Sequence, residues 1–267
     1  MKNILLITAA ILVVTYSACK KEKETVTVTN TVTVRDTVAA QSITTVIGAT
    51  HDATIKAGIG AGTLDSNYAS GKGEVLAVGV AGDYEVKFRT LVQFDLSSLP
   101  AGANITDARL SFTLRQAGTR LENIYVHKLT ENWEKGTVSD NTDASNSSNN
   151  SDKICSEITT AGTAAVTWRF SNYSTLKKWS TPGGTADAAS DSANSKYSNG
   201  LSFQSPGIMQ DVKNWQATPA NNFGWVIRYN DAQEVSDNSS RLMRYISTDG
   251  GGGNGGKPKL IITYTMP

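Results

Sequence analysis

Short segments in which apolar residues alternate with smaller or polar ones recur from about residue 50 to the end of the sequence. In the last of these segments, Leu260, Ile262 and Tyr264 fall on one face, and Thr263 and Thr265 fall on the other. A strand with one face on a core and the other toward solvent has this period-two pattern. The chain is therefore predicted to form half-buried sheets, and a helical bundle is excluded.

The alternation predicts an all-β domain over residues 42–267. Its predicted strands are Asp52–Lys56, Glu74–Val80, Phe88–Leu96, Ile105–Arg115, Asn123–Thr130, Ala165–Phe170, Gly200–Gln204, Gly224–Asn230, Arg241–Ser247 and Pro258–Thr265. One short helix is predicted at Ile208–Gln216, because its apolar residues share a face at helical spacing. The stretches Asn141–Lys153 and Gly250–Gly256 are predicted to be mobile connections. Many short strands separated by Gly and Asn favour one antiparallel β-sandwich rather than two domains.

The net charge excludes one class of partner. Lys and Arg together number 25 and Asp and Glu 24, so the formal net charge is +1. A charge near zero gives no general attraction to nucleic acid. We therefore expect no nucleic-acid partner.

The first 18 residues have the composition of a secretory signal peptide. Lys2 precedes an apolar run from Ile4 to Val14, and small residues stand before Cys19. A Cys at this position resembles the lipobox of bacterial lipoproteins, which implies cleavage before Cys19 and a diacylglyceryl group on its thiol. The apolar run is shorter than the roughly 20 residues that a bilayer-spanning helix needs. An ordinary export signal with an incidental Cys remains the alternative.

Residues 19–41 are interpreted as a lipidated Cys followed by a stalk. The charged run Lys20–Glu24 resembles the export signal of Bacteroidota surface lipoproteins, and a solvated tether is the alternative. Thr and Val then alternate up to Val38, which favours an extended segment that lifts the domain off the membrane. Pairing of this segment with a neighbouring chain remains open. With Cys19 acylated, Cys155 is left without a disulfide partner.

Several motifs occur in the order found in one domain family. They are Arg89–Leu110, Val126–Glu134 with Gly136–Val138, Val166–Trp168, Asp211–Trp215, Gly224–Trp225, Ser240–Arg241 and Pro258–Tyr264. Together they resemble DNRLRE domains over most of residues 50–265. The chain departs from the family pattern in two places: Ser139–Ala165 is inserted, and Leu242 stands where an acidic residue is usual.

The resemblance implies a jelly-roll-like β-sandwich that serves as an accessory module of secreted or surface proteins. Some relatives are carbohydrate-binding modules for alginate, so a polysaccharide such as alginate is an expected partner. Together with the lipid anchor, this implies a location on the bacterial outer membrane or cell surface. Jelly rolls host many functions, and a structural or adhesion module of the envelope with no glycan site remains the alternative.

The sequence contains little that points to catalysis. His51 and His127 are its only histidines, and His127 is interpreted as a satisfied strand residue. No His or Cys spacing suits zinc, and no nucleophile elbow is present. We therefore expect a protein that is not an enzyme and has no cofactor. Structural calcium stays open, with Asp52 and Asp231 as candidate ligands.

The candidate ligand-binding residues lie in one segment outside the family motifs. They are Tyr173, Lys177, Lys178, Trp179 and Tyr197. An aromatic ring can stack on the apolar face of a sugar while basic side chains contact hydroxyl or carboxylate groups. The other four tryptophans are predicted to be core residues, because they stand in the family motifs next to strands. They are Trp133, Trp168, Trp215 and Trp225.

Overall fold

The strand β1 (Ser42–Gly58) takes part in both main sheets of the protein. The computed structural model describes residues 41–59, 67–81, 85–140, 153–195, 200–235, 241–251 and 256–266. The first half of β1 pairs antiparallel with β15 (Lys259–Thr265), and the second half pairs antiparallel with β4 (Val86–Phe94). A β-bulge between Ala49 and His51 separates the two halves. Such a bulge bends a strand, and this one marks the point where β1 changes partners.

The first main sheet has the strand order β1–β15–β5–β12, and the second has the order β11–β7–β13–β4–β1. The remaining strands are β2 (Tyr68–Ala69), β3 (Val75–Ala81), β5 (Asn104–Phe112), β6 (Leu114–Gln116), β7 (Asn123–Leu129), β8 (Ser156–Glu157), β9 (Phe170–Asn172), β10 (Lys177–Lys178), β11 (Ala186–Asn194), β12 (Leu201–Phe203), β13 (Trp225–Arg228) and β14 (Met243–Ile246). β3 pairs with β4 and then with β14, which in turn pairs with β6. All these pairings are antiparallel. This arrangement confirms the predicted all-β sandwich.

The central core lies between the two main sheets. Ile262 on β15 and Leu110 on β5 face Val92 on β4 and Ile227 on β13, and all four are fully buried. Along β5 and β15, the residues that alternate with the buried ones are more exposed, as the period-two pattern predicts. The alternation in the sequence therefore identified the core faces of these strands.

A second apolar cluster covers the other face of the second sheet. Leu91 and Val226 point away from the central core and pack against the buried rings of Trp133, Trp168 and Trp179. These rings come from the long connection between β7 and β11. The second sheet is thus buried on both faces, which makes the domain thicker than a two-layer sandwich.

The helix α1 (Pro206–Ala217) confirms the predicted helix and is slightly longer at both ends. Ser205 caps it, because its hydroxyl accepts a hydrogen bond from the amide of Ile208 at 3.3 Å. At the other end, the amide of Thr218 donates to the carbonyl of Asn214 at 2.9 Å, and a short 3-10 helix (Pro219–Asn221) follows. Among the residues that the structure describes, no helix is long and apolar enough to cross a bilayer.

The strand predictions differ from the structure in several places. β1 begins at Ser42, well before the predicted strand Asp52–Lys56, and the short strands β2, β8 and β10 were not predicted. The predicted strand Ala165–Phe170 is wrong, because most of this segment is irregular and only β9 begins at its end. Its apolar residues are buried, but they lie in the cover over the second sheet rather than in a strand. The strand β11 was not predicted, because its sequence is made of small and polar residues without a bulky apolar face. Cys155 is buried, and its thiol donates a hydrogen bond to the carbonyl of Thr54 at 3.3 Å.

Other predictions lie outside the described residues. They concern the signal peptide, Cys19, the stalk, Tyr197 and most of the two mobile connections.

Candidate ligand-binding groove

An open groove of about 1100 Å³ lies at the end of the sandwich where β1 bulges. One wall is the connection between β4 and β5, from Asp95 to Asn104. The other wall is the C-terminal turn of α1 with Pro219 and Asn222. The β-bulge contributes Thr50 and His51. The groove is therefore built from segments that are far apart in the sequence.

The connection between β4 and β5 is held by local hydrogen bonds. The carboxylate of Asp95 accepts from the Ser97 amide at 2.9 Å and from the Ser97 hydroxyl at 2.8 Å. These bonds stabilise the ionised form and lower the pKa of Asp95. The amide of Ala103 donates to the carbonyl of Pro100 at 3.1 Å. This wall is consequently shaped before any ligand arrives.

Side-chain amides fix the two walls to each other and to the sheet. Gln216 at the end of α1 donates to the carbonyl of Ala103 at 3.1 Å. Asn222 donates to the carbonyl of Phe94 at 2.7 Å, and its own carbonyl accepts from the side chain of Gln93. These bonds leave the groove little freedom to collapse.

Two buried polar atoms among the groove-lining residues have no hydrogen-bond partner. They are Nε1 of Trp215 and Oδ1 of Asn222. Trp215 is 1% exposed and also lines a smaller hollow of about 310 Å³. Buried indole N–H groups usually find an acceptor, and an unpaired one costs folding free energy. Both atoms have almost no accessible surface, so they are buried inside the protein and do not form part of the groove surface.

Charge in the groove is sparse. Lys213 is the one Lys or Arg among the lining residues, and Asp95 is the one carboxylate. His51 is exposed, and its ring lies 6.3 Å from the ring of Trp133 in an edge-on arrangement. The lining of this groove is therefore mainly uncharged.

The structure does not form the aromatic platform expected around Trp179. Trp179 is only 4% exposed, and its Nε1 donates to the carbonyl of Thr167 at 3.1 Å. The expectation that this ring is available for stacking is therefore wrong. Its apolar surface instead packs over the second sheet, next to Leu91 and Val226.

The neighbours of Trp179 lie on a two-stranded hairpin formed by β9 and β10. Lys177 and Lys178 are exposed, as a binding role would require. Tyr173 is half-buried, with its ring 5.6 Å from that of Phe170. The four tryptophans predicted to be core residues are confirmed as buried. All five tryptophans of the chain are therefore inside the protein.

The candidate calcium ligands are engaged by protein groups. The carboxylate of Asp52 accepts from the Thr248 amide at 2.7 Å and from the Thr248 hydroxyl at 2.9 Å. Burial raises the pKa of Asp52 to about 6. Asp231 is exposed and forms an ion pair with Arg228. Within the described ranges, no three or more His, Cys, Asp or Glu side chains are grouped so that they could hold a metal ion.

His127 has a structural hydrogen bond. Its Nδ1 lies 3.0 Å from the carbonyl oxygen of Asp187, which joins β7 to the edge strand β11. Partial burial lowers the pKa of His127, so the neutral ring is favoured. This agrees with the interpretation of His127 as a satisfied strand residue.

Sequence reasoning missed the groove. Its lining residues are spread over β1, β4, the β4–β5 connection and α1, and none of them belongs to a recognisable binding motif. The one available signal was Trp215 on the apolar face of the helix, and that signal indicates a core residue. No protein-family model and no curated protein matches the chain.

Proposed function

We propose that this chain is an envelope-anchored lipoprotein whose β-sandwich binds a polysaccharide in the groove without cleaving it. The observation that supports this function most is the open groove of about 1100 Å³, which β1, β4, the β4–β5 connection and the end of α1 line together. The expected binding site therefore moves from the Trp179 hairpin to the end of the sandwich.

Sugars match the chemistry of this groove. A hydroxyl group both donates and accepts hydrogen bonds, so a polyhydroxyl ligand suits a lining that includes the exposed neutral side chains of Thr50, Ser97 and Asn104. Small-molecule sites have volumes of roughly 300–1,000 Å³, and this groove of about 1100 Å³ is slightly larger. Its open shape suits a chain that extends beyond both ends of the site.

The resemblance to DNRLRE domains supports a polysaccharide as the ligand, with alginate as one candidate. Lys213 in the groove would meet the carboxylate of an acidic sugar. The hydrogen bonds from Ser97 keep the carboxylate of Asp95 ionised, so an acidic sugar would place its own carboxylate at Lys213 and away from Asp95.

Anchoring is proposed from the sequence. An acylated Cys19 after the signal peptide would hold the protein on the bacterial outer membrane or cell surface. Burial of the methylene groups of two or three acyl chains, at about 0.8 kcal/mol each, is sufficient for stable anchoring.

A structural or adhesion module of the envelope is the second candidate. It is favoured by the burial of all five tryptophans, which leaves no tryptophan ring for sugar stacking. It is also favoured by β11, a largely exposed strand that pairs only with β7 among the described strands. A strand edge of this kind can add a strand from another chain.

The two candidate functions predict different results in a polysaccharide-binding experiment and for a variant whose groove is filled. Ala101 is exposed on the groove wall, so Ala101→Trp fills the groove without disturbing the core. The purified full chain in mild detergent would be run through gels containing alginate, pectin or a neutral glucan. We expect at least one gel to retard the wild type and the control Lys177→Ala/Lys178→Ala, while Ala101→Trp migrates freely. Migration of the wild type without retardation on every gel would favour the structural module, and release of reducing sugar would contradict both candidates.

A further inference from the structure

The first half of β1 has an open edge. Among the described strands it pairs with β15 alone, because β4 joins β1 only at the bulge and beyond. The amide of Ala49 donates to the carbonyl of Pro258 at 3.1 Å, so the odd-numbered residues of this half direct their main-chain groups toward β15. The even-numbered residues therefore direct theirs to the other side, where no described residue forms a main-chain hydrogen bond with them. They are Ser42, Thr44, Val46 and Gly48.

This open edge is accessible to solvent. All four of these residues are exposed, and Val46 is 59% exposed although it is apolar. On the outer face of the sheet, a side-chain carbon at Gly48 would meet no other atom within 4 Å. The main-chain donors and acceptors of the open edge can therefore be reached by another strand.

Other strands at sheet edges differ from the open edge. The strands β6 and β12 are only three residues long. β11 is longer, but its ladder has two register shifts and it carries Asp187 and Asp191. Bulges and charges of this kind protect an edge against pairing. The stretch Ser42–Gly48 contains no charged residue, no Pro and no bulge, so it has none of these protections.

The main-chain groups of the open edge are complementary to those of an identical strand. Two such strands related by a two-fold axis run antiparallel. With Thr45 on the axis, Ser42 lies opposite Gly48 of the second copy, and Thr44 lies opposite Val46. All four residues that direct their main-chain groups outward then form hydrogen-bonded pairs, and Thr45 faces its own copy in a non-hydrogen-bonded pair.

The side chains match in the same register. Ile43 lies opposite Ile47 of the second copy, on the face that is directed toward the central core. Ile43 is 38% exposed and Ile47 is half-buried, so both can lose apolar surface to water on pairing. The two Thr45 side chains meet at the axis, and Thr–Thr pairs stabilise antiparallel strands. No charge is placed opposite a like charge.

We propose that Ser42–Gly48 is a dimerisation strand, which pairs with the same strand of a second copy about a two-fold axis at Thr45. The first sheets of the two copies then form one continuous sheet. The bulge after Ala49 turns the rest of β1 toward β4, which limits the pairing to this half of the strand. The pairing is independent of polysaccharide binding and of the lipid anchor.

The variant Thr45→Cys tests this register directly. In a non-hydrogen-bonded antiparallel pair the Cα atoms are about 4.5 Å apart, which is within the roughly 4.4–6.8 Å that a disulfide spans. The full chain in mild detergent would be treated with a mild oxidant and run on a non-reducing gel. We expect most of the Thr45→Cys protein to form a covalent dimer.

The matched control is Thr44→Cys. Thr44 is exposed and lies on the opposite face, and in the proposed register it is two residues away from its own copy along the strand. Its Cα atoms are then more than about 7 Å apart, so we expect at most about a tenth as much covalent dimer. The wild type gives the background from Cys19 and Cys155, and we expect no dimer from it.

Two further variants test the main-chain hydrogen bonds. In the Thr45→Cys protein, Val46→Pro removes an N–H at the open edge, whereas Val46→Ala keeps that N–H and shortens the side chain. Neither change touches a main-chain bond to β15. We expect Val46→Pro to abolish the covalent dimer and Val46→Ala to retain it. Fluorescence of the buried tryptophans checks that both proteins are folded.

Three results would overturn the proposed dimer. The first is a Thr45→Cys protein with no more covalent dimer than the wild type. The second is equal cross-linking of Thr44→Cys and Thr45→Cys, which decides the matter even if Val46→Pro does not fold. The third is a folded Val46→Pro protein that cross-links as well as Val46→Ala. None of these results bears on polysaccharide binding in the groove.

Discussion

The carboxylate of Asp52 is 1% exposed and links β1 to the turn after β14. Thr248 donates two hydrogen bonds to it, and Lys135 Nζ lies 3.8 Å away. Burial opposes the charged form more strongly than these partners favour it, so the pKa rises to about 6 from the ordinary value of 3.8. Ionisation of Asp52 therefore destabilises the folded state.

Replacement of Asp52 by Asn should remove a pH dependence of stability. The pKa of Asp52 is higher in the folded state than in the unfolded state. The contribution of protonated Asp52 to the free energy of unfolding is therefore fully present below about pH 4, and it is lost as the pH rises through about 6. A shift of this size corresponds to about 3 kcal/mol. In urea unfolding, the free energy of unfolding of the wild type relative to Asp52→Asn should fall between pH 4 and pH 7. Parallel pH curves for the two proteins would contradict the assignment.

Individual side chains were the hardest features to predict from the sequence. Trp179 stands beside Lys177 and Lys178 in a polar segment, which favours an exposed ring, yet it is buried in the cover of the second sheet. Arg89, at the start of a family motif, forms a two-bond ion pair with Glu234 and lies 4.4 Å from the centre of the Trp168 ring. Both residues find partners far away in sequence, and no local pattern reveals such partners.

At the scale of elements, strands with a clear period-two pattern were predicted closely. The predictions for β5, β7 and β15 match the observed strands within a few residues. The strand β11 was missed because Ala, Ser and Asp give it no apolar face, and only its pairing with β7 makes it a strand. The segment Ala165–Phe170 was mistaken for a strand because burial in an irregular cover also selects apolar residues.

The strand β15 joins β1 to β5 and should be essential for the first sheet. Ile262→Asp places a charge without a partner at a position that is 0% exposed. This should cost several kcal/mol, comparable to the total stability of roughly 5–15 kcal/mol of a domain. The matched control is Ile261→Asp, because Ile261 lies on the opposite, half-buried face of the same strand. Thermal unfolding of Ile262→Asp at the wild-type temperature would contradict this role of β15.

At the scale of the whole molecule, the sequence could predict a sandwich but not the groove. The alternation of apolar and polar residues identifies which face of each strand packs on the core. This pattern was sufficient to predict the all-β sandwich. The groove depends on how the β4–β5 connection meets the end of α1, which local patterns do not encode.

The proposed lipid anchor also concerns the whole molecule. We expect Cys19→Ser to abolish incorporation of a fatty-acid analogue and to release the protein from membranes, because a serine hydroxyl does not replace the thiol that is acylated. Cys155→Ser is the matched control, since Cys155 is buried in the folded domain. Labelling of Cys19→Ser at the wild-type level would contradict the anchor.

The central claim is that a polysaccharide occupies the groove. Hydrogen–deuterium exchange of the full chain, with and without alginate, pectin or a neutral glucan, tests it most directly. We predict that one of these polysaccharides slows exchange in residues 95–104 and 213–222, which form the two walls, and leaves the hairpin at residues 170–178 unchanged. Unchanged exchange in both walls with every polysaccharide, or protection confined to the hairpin, would contradict the claim.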